Sequence, residues 1–328
     1  MKTQAERPPG APPVLISRWR LPVLPLVIAV ASMIGVGLLL YPSIAAWFSS
    51  VEQSQKIDGL TQGITDLGAE TLRERLAEAR AYNQTLTGGG AAVAANERLP
   101  LANDPRTGDT AQYFSMLRGD SEGLMARLKV PSIGVDLPIY HGTSEAVLEH
   151  GVGHLEGTAL PVGGESTHSV LTGHRGLATS ELFTHLDRVS VGDTFTVEVF
   201  GDVLTYRVIE TLVVEPDDTE SLLIRPGRDL LTLVTCTPLG INSHRILVTG
   251  EQVIPTPQSD IDAAGDSPDV PGFPWWMLVA GGTVVLAVTY VWLSGRPPRA
   301  LRSHASTNRG GPTDASGAPS SAHPDLRT

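Results

Sequence analysis

The 328 residues contain a single cysteine, Cys236, so no disulfide can form within the chain. Positive charge is also scarce, with 24 Lys and Arg against 35 Asp and Glu for a formal charge of −11, which argues against a nucleic-acid-binding surface. Aromatic residues make up only 5% of the chain, no repeat of fixed period occurs, and no glycine-rich phosphate loop is present. The histidines do not fall at paired ligand spacing and there is no second cysteine to join them, so no metal centre is expected. The fold must therefore rest on burial of apolar surface, and the lone thiol needs a reason of its own.

What the chain does have is two long apolar runs, Leu21 to Phe48 and Phe273 to Leu293, each long enough to cross about 30 Å of hydrocarbon. Aromatic residues border both: Trp19, Tyr41, Trp47 and Phe48 at the first, Trp275, Trp276, Tyr290 and Trp292 at the second. Lys2, Arg7, Arg18 and Arg20 precede the first run, while Arg296, Arg299 and Arg302 follow the second. The positive-inside rule then places both termini in the cytoplasm and the residues between the runs outside. A cleaved signal peptide, with small residues at Ile44-Ala-Ala46, is the competing reading of the first run. Its length beyond the roughly 7–15 residues of a signal peptide's apolar region favours retention. Either reading exports the middle of the chain.

From Val51 to Thr87, Leu60, Ile64 and Leu67, then Leu72, Leu76, Ala79, Tyr82 and Leu86, fall three to five apart among charges, which predicts a helix or helical pair. Gly88 to Ala95 breaks that pattern as a joint, and Asn103-Asp-Pro105 predicts a loop. From Gly123 on, short apolar runs alternate with Gly, Pro and Asp. They fall at Met125 to Val130, Val135 to Tyr140, Ser169 to Thr172, Thr194 to Phe200, Leu204 to Val214, Leu230 to Thr235 and Arg245 to Val248. Many short strands with turn signals predict a mainly β barrel or sandwich, with short helices near Ser144 to Glu149 and Ser180 to Leu186. The chain accordingly divides into a cytoplasmic segment (1–20), a transmembrane helix (21–48), a helical membrane-proximal segment (49–98) and a loop region (99–122). A β domain (123–255), a Pro- and Asp-rich linker (256–272), a second transmembrane helix (273–293) and a disordered cytoplasmic tail (294–328) follow.

Cys236 ends an apolar, β-branched strand, and Arg245 opens the next one, which predicts a thiol beside a fixed positive charge on adjacent strands. A free cysteine is also an ordinary small core residue. A cysteine nucleophile needs a proton donor for its leaving group, and nine histidines are available. His174 is the best placed, in Ser169-Val-Leu-Thr-Gly-His-Arg-Gly176, where an apolar strand runs into a glycine-flanked turn. His141, His154 and His244 are weaker candidates, and strand alternation turns His244 away from the face of Arg245. Arg245 would stabilise an oxyanion, which suits a group that stays charged and offers a fork of donors.

These residues resemble those of the class C, or pilin-polymerising, sortases. Thr232-Leu-Val-Thr-Cys236 matches the cysteine signature, Leu171-Thr-Gly-His-Arg-Gly176 the histidine motif and Gly240-Ile-Asn-Ser-His-Arg245 the arginine segment. Leu137 to Thr143, Gly151 to His154, Leu160 to Gly164, Tyr41 to Trp47 and Ala81 to Asn83 add to the likeness, which runs from about 40 to 255. The resemblance implies a sortase-type closed β-barrel with short helices, preceded by the helical segment and flanked by two transmembrane helices. It implies a membrane-bound cysteine transpeptidase needing no cofactor, with Cys236, His174 and Arg245 as its catalytic residues. The partners implied are pilin or surface-protein substrates with Leu-Pro-X-Thr-Gly-like sorting signals, and a pilin lysine as acceptor. It also implies a lid over the cysteine, here Asp104, Pro105 and Arg106, where the family's aromatic is replaced by Arg106; Tyr113 or Phe114 supplies a ring there only if the loop rearranges. Leu239 likewise stands where the family often has an aromatic, which alters the pocket wall. Attachment of surface proteins to the cell wall, and a catalytically silent membrane-tethered binding module, are the alternatives.

Overall fold

The structure, a computed structural model, describes residues 19–88, 110–268 and 272–296. Helix α1 (Val23–Asp66) carries the first apolar run on without a break for 44 residues. At 1.5 Å per residue that is about 66 Å, roughly twice the thickness of a bilayer's hydrocarbon. Its second half buries Gln53, Ile57 and Leu60, and helix α2 (Ala69–Gly88) buries Leu76, Ala79 and Tyr82, both at helical three- and four-residue spacing. Asn83 tightens the grip of α2. Its amide donates to the Leu160 carbonyl at 2.9 Å and accepts the Leu160 N–H at 2.7 Å, as a strand edge would. A single turn, α3 (Thr110–Tyr113), leads into the β domain.

There β1 (Leu124–Val130), β2 (Val135–His141), α4 (Glu145–His150), β3 (Val152–His154), β4 (Thr167–Thr172), β5 (Arg175–Leu177) and β6 (Ser180–Leu182) come first. They are followed by β7 (Thr194–Val199), β8 (Asp202–Val214), β9 (Asp229–Thr237) and β10 (His244–Gln252). Eight of these strands close a barrel in the order β1-β2-β3-β4-β9-β10-β8-β7, while β5 and β6 form a separate hairpin. Neighbours are antiparallel except β2–β3 and β4–β9. Leu231 and Leu233 join the main core with Phe195, Tyr206 and Val248; Val234 packs on the opposite face with Leu155, Val170, Leu222 and Leu247. Burial on both faces is why β9 reads as a continuous apolar run rather than an alternating one.

The helix expected near Ser144 to Glu149 is α4, but the one expected at Ser180 to Leu186 is not formed. That stretch is β6 followed by a tight turn at Leu186–Arg188. Long-range contacts decide it: the Ser180 hydroxyl meets Gln53 of α1 at 3.2 Å, and the Phe183 N–H donates to the His174 carbonyl at 3.0 Å. Beyond the barrel, α5 (Gln258–Asp262) and its flanks lie along the strands, with Thr205 donating to the Asp260 carboxylate at 2.7 Å and Arg127 to the Asp266 carbonyl at 2.6 Å.

Helix α6 (Trp275–Ser294) runs beside α1, and both are long and apolar enough to cross a membrane. The aromatic belts meet at both ends. Trp47 and Trp276 lie 6.3 Å apart at one, and at the other Trp19 donates to the Trp292 carbonyl at 3.2 Å.

Candidate active site

Cys236 and Arg245 are direct cross-strand partners on β9 and β10, so their side chains leave the sheet on the same side. The parallel pairing of β4 with β9 sets Thr172 beside Val234, and alternation puts Thr172, Val234 and Cys236 on one face. His174 follows Thr172 by two residues. Cys236, His174 and Arg245 together line a small cavity of about 40 Å³ on the outer side of the barrel, walled by Leu148, Leu155 and Val234.

The backbone around His174 is held by the residues that flank the cysteine. Thr235 donates its hydroxyl to the Gly173 carbonyl at 2.7 Å, and the Gly173 N–H donates to the Val234 carbonyl at 3.0 Å. On the other side, Arg175 donates to the Thr237 hydroxyl at 2.7 Å and pairs with Asp187 at 2.8 Å. Gly173 is needed for this approach, since a Cβ there would lie 2.7 Å from the Phe183 ring. Leu239 lies half-exposed over Gly176, whose φ is +74°; a Cβ on Gly176 would lie 2.0 Å from the Leu239 methyl. Among the described residues the imidazole of His174 meets one carboxylate, with Nε2 3.2 Å from Oε1 of Glu145 at the start of α4. Arg245 folds back on its own loop: Nη1 donates to the carbonyls of Asn242 at 2.9 Å and His244 at 3.0 Å. Its Nε and Nη2 make no hydrogen bond among the described residues, so a fork of donors is left to serve a ligand.

The other candidate histidines are structural or lie outside the cavity. His154 is fully buried, donating from Nε2 to the Ala159 carbonyl at 2.8 Å while Nδ1 lies 3.0 Å from the Tyr113 hydroxyl. His141 is buried with its two nitrogens each 2.7 Å from a carbonyl, of Gly123 and of Met116. His244 is exposed and meets the Ser243 hydroxyl. Asp104, Pro105 and Arg106 lie outside the described residues. Tyr113 is committed elsewhere, accepting the Gly142 N–H at 2.9 Å, and the described lining of the cavity includes neither it nor Phe114. Sequence reasoning missed the contact of Glu145 with His174, and also the bonds that Thr235 and Arg175, already recognised beside Cys236 and His174 in the chain, make across the site to Gly173 and Thr237. The first had no signal, because nothing local relates it to a histidine 29 residues on.

Buried titrating groups give a pH prediction. Burial pushes His154 down to about 4, so between its ordinary value near 6.5 and about 4 the unfolded chain binds a proton the folded chain refuses. Acidification through that window removes about 3 kcal/mol. Burial pushes Asp229 up to about 6 even though Gly164 N–H and the Tyr206 hydroxyl donate to it. There the folded chain takes the proton first, and acidification from about 6 to about 4 returns a similar amount. The two nearly cancel, and His141 and His168, both lowered by burial, tilt the balance toward loss. Thermal melting of the full chain should therefore decline only gently from pH 6 to pH 4. Asp229→Asn, which removes the compensating proton, should make the decline steeper by about 3 kcal/mol.

The family model for the sortase domain matches residues 128–253, which hold His174, Cys236 and Arg245. Sortase D of Bacillus subtilis is 27% identical over 166 residues, 50% of this chain and 81% of that protein. Other curated sortases are spanned over about half their length. Among solved structures, sortase C-1 of Actinomyces oris is 48% identical with a TM-score of 0.50, covering 56% of this chain and 98% of that one. A Streptococcus pneumoniae sortase C, described for its catalysis and pilin substrate specificity, is 40% identical with a TM-score of 0.51, covering 61% and 96%.

Proposed function

The chain belongs to the sortase family of cysteine transpeptidases, and from that membership we propose that it joins pilin subunits as a class C enzyme. The observation that carries the reading is the common cavity: a thiol, an imidazole and a guanidinium with free donors, brought together from β9, the loop after β4, and β10. Cys236 Sγ attacks the carbonyl carbon of the threonine in a Leu-Pro-X-Thr-Gly-like signal. The thiol gives its proton to His174 as the C–S bond forms, and the Thr–Gly C–N bond breaks as the leaving amine takes that proton from His174. Arg245 donates to the oxyanion in between. A lysine amine from the next pilin then gives a proton to His174 and attacks the thioester, which forms the isopeptide C–N bond and releases the Cys236 sulfur. The high identity to sortase C structures, over nearly their whole length, favours a pilin acceptor over the cell wall. In this reading the site lies outside the cell and the termini in the cytoplasm, which the charge flanks of the two apolar helices support.

The test presents the full chain, in detergent micelles, with a sorting-signal peptide and either a lysine-bearing pilin or a peptidoglycan-like amine. An isopeptide on the pilin lysine, found by mass spectrometry, is the expected product. Product with the peptidoglycan amine alone identifies a wall-anchoring enzyme, and no thioacyl adduct at all marks a silent module.

A further inference from the structure

We propose that Glu145 is a positioning residue that sets the ring orientation and tautomer of His174; the proposal rests on the transpeptidase reading above. The backbone of His174 is fixed on both sides, by Thr235 on Gly173 and by Phe183 on its own carbonyl. The imidazole itself has one hydrogen-bonding side chain, Glu145, among the described residues. An ionised carboxylate only accepts, so the contact selects the tautomer whose Nε2 carries hydrogen. Nδ1 is then the nitrogen that exchanges protons in the cavity. The chemistry needs this constancy: the nitrogen that gives its proton to the leaving amine must be the one whose lone pair receives the proton of the incoming amine. A ring protonated on Nδ1 instead would present no lone pair on that side to receive the incoming amine's proton.

Glu145 is well placed for this because α4 is not a loose surface turn. Leu148 is 3% exposed and walls the cavity, and the carbonyl of His150, at the other end of α4, accepts from the buried Gln53 amide of α1 at 3.1 Å. The same amide meets Ser180 on the hairpin that follows His174. One residue of the membrane-derived helix thus holds both elements that bring Glu145 and His174 together. The carboxylate is 64% exposed, so its contact is not a large source of stability, and its effect should show in turnover rather than in folding.

The experiment compares Glu145→Ala and Glu145→Gln in the full chain. Glu145→Ala should lower kcat about tenfold with KM within twofold, the mark of an interaction that matters after the substrate is bound. Glu145→Gln, which keeps an acceptor oxygen, should recover kcat to within about threefold of the parent. Independently of turnover, ¹⁵N-histidine spectra under alkaline conditions should show the His174 ring protonated at Nε2 in the parent and mixed in Glu145→Ala, with the signals assigned through His174→Ala. Unchanged kcat in Glu145→Ala, or the same tautomer in both proteins, overturns the proposal. Because the spectra need no substrate, failure of the parent to use a sorting peptide would count against the transpeptidase reading and leave the tautomer result to judge Glu145.

Discussion

Replacing Cys236 by alanine removes transpeptidation to background, a loss of at least about 10⁴-fold in kcat, while leaving the melting temperature nearly unchanged. The loss is large because the sulfur forms and breaks a bond in both halves of the reaction, and no second cysteine exists to replace it. The stability is spared because the side chain is only partly buried at the end of β9, where truncation leaves a dent open to the cavity rather than a sealed void. Cys236→Ser tests whether nucleophilicity or mere polarity matters: a hydroxyl keeps the shape but is far less readily ionised, so turnover should stay near background. Covalent labelling makes the assay self-checking. A thiol reagent can modify only Cys236, so one adduct per chain in the parent and none in Cys236→Ala identifies the group. Undiminished product from the alanine variant would end the nucleophile assignment.

The sequence was most legible where the argument was local. Cys236 and Arg245 are joined by one short connection, so their pairing across β9 and β10 followed from two strands and a turn, and the observed register places them opposite one another. The helical faces of α1 and α2 were legible for the same reason, since a three- and four-residue period is a local property. His174 could be picked as a strand-end residue, but its place beside the thiol depends on the parallel pairing of β4 with β9, across 62 residues at Val170–Thr232. No local pattern states which strands will be neighbours in a barrel. The same limit explains the misread helix at Ser180 to Leu186, whose conformation is set by Gln53 and His174, and the unforeseen strand β3, only three residues long, whose partners lie on β2 and β4.

Arg245→Ala is expected to lower kcat/KM about 10²- to 10³-fold, the usual cost of an oxyanion donor. The geometry explains why a lysine should not stand in for it. One guanidinium nitrogen is spent on the carbonyls of Asn242 and His244, which fixes the plane of the group against the β9–β10 connection. The remaining nitrogens can then face the cavity at no further ordering cost. A lysine ammonium in the same place has one charged centre, which must choose between those carbonyls and the ligand. Arg245→Lys should therefore recover only a small part of the loss, with most of the deficit in kcat, because a donor aimed at charge that develops during attack does little for the bound ground state. Asn242, at φ 56°, supplies one of the carbonyls from a backbone conformation that suits Asn, so Asn242→Val should strain the loop and reproduce a weaker version of the Arg245 defect. Steady-state kinetics with a sorting-signal peptide separate the two parameters. A pure rise in KM in Arg245→Ala, with kcat intact, would instead make the arginine a substrate anchor, with the oxyanion left to donors elsewhere in the cavity.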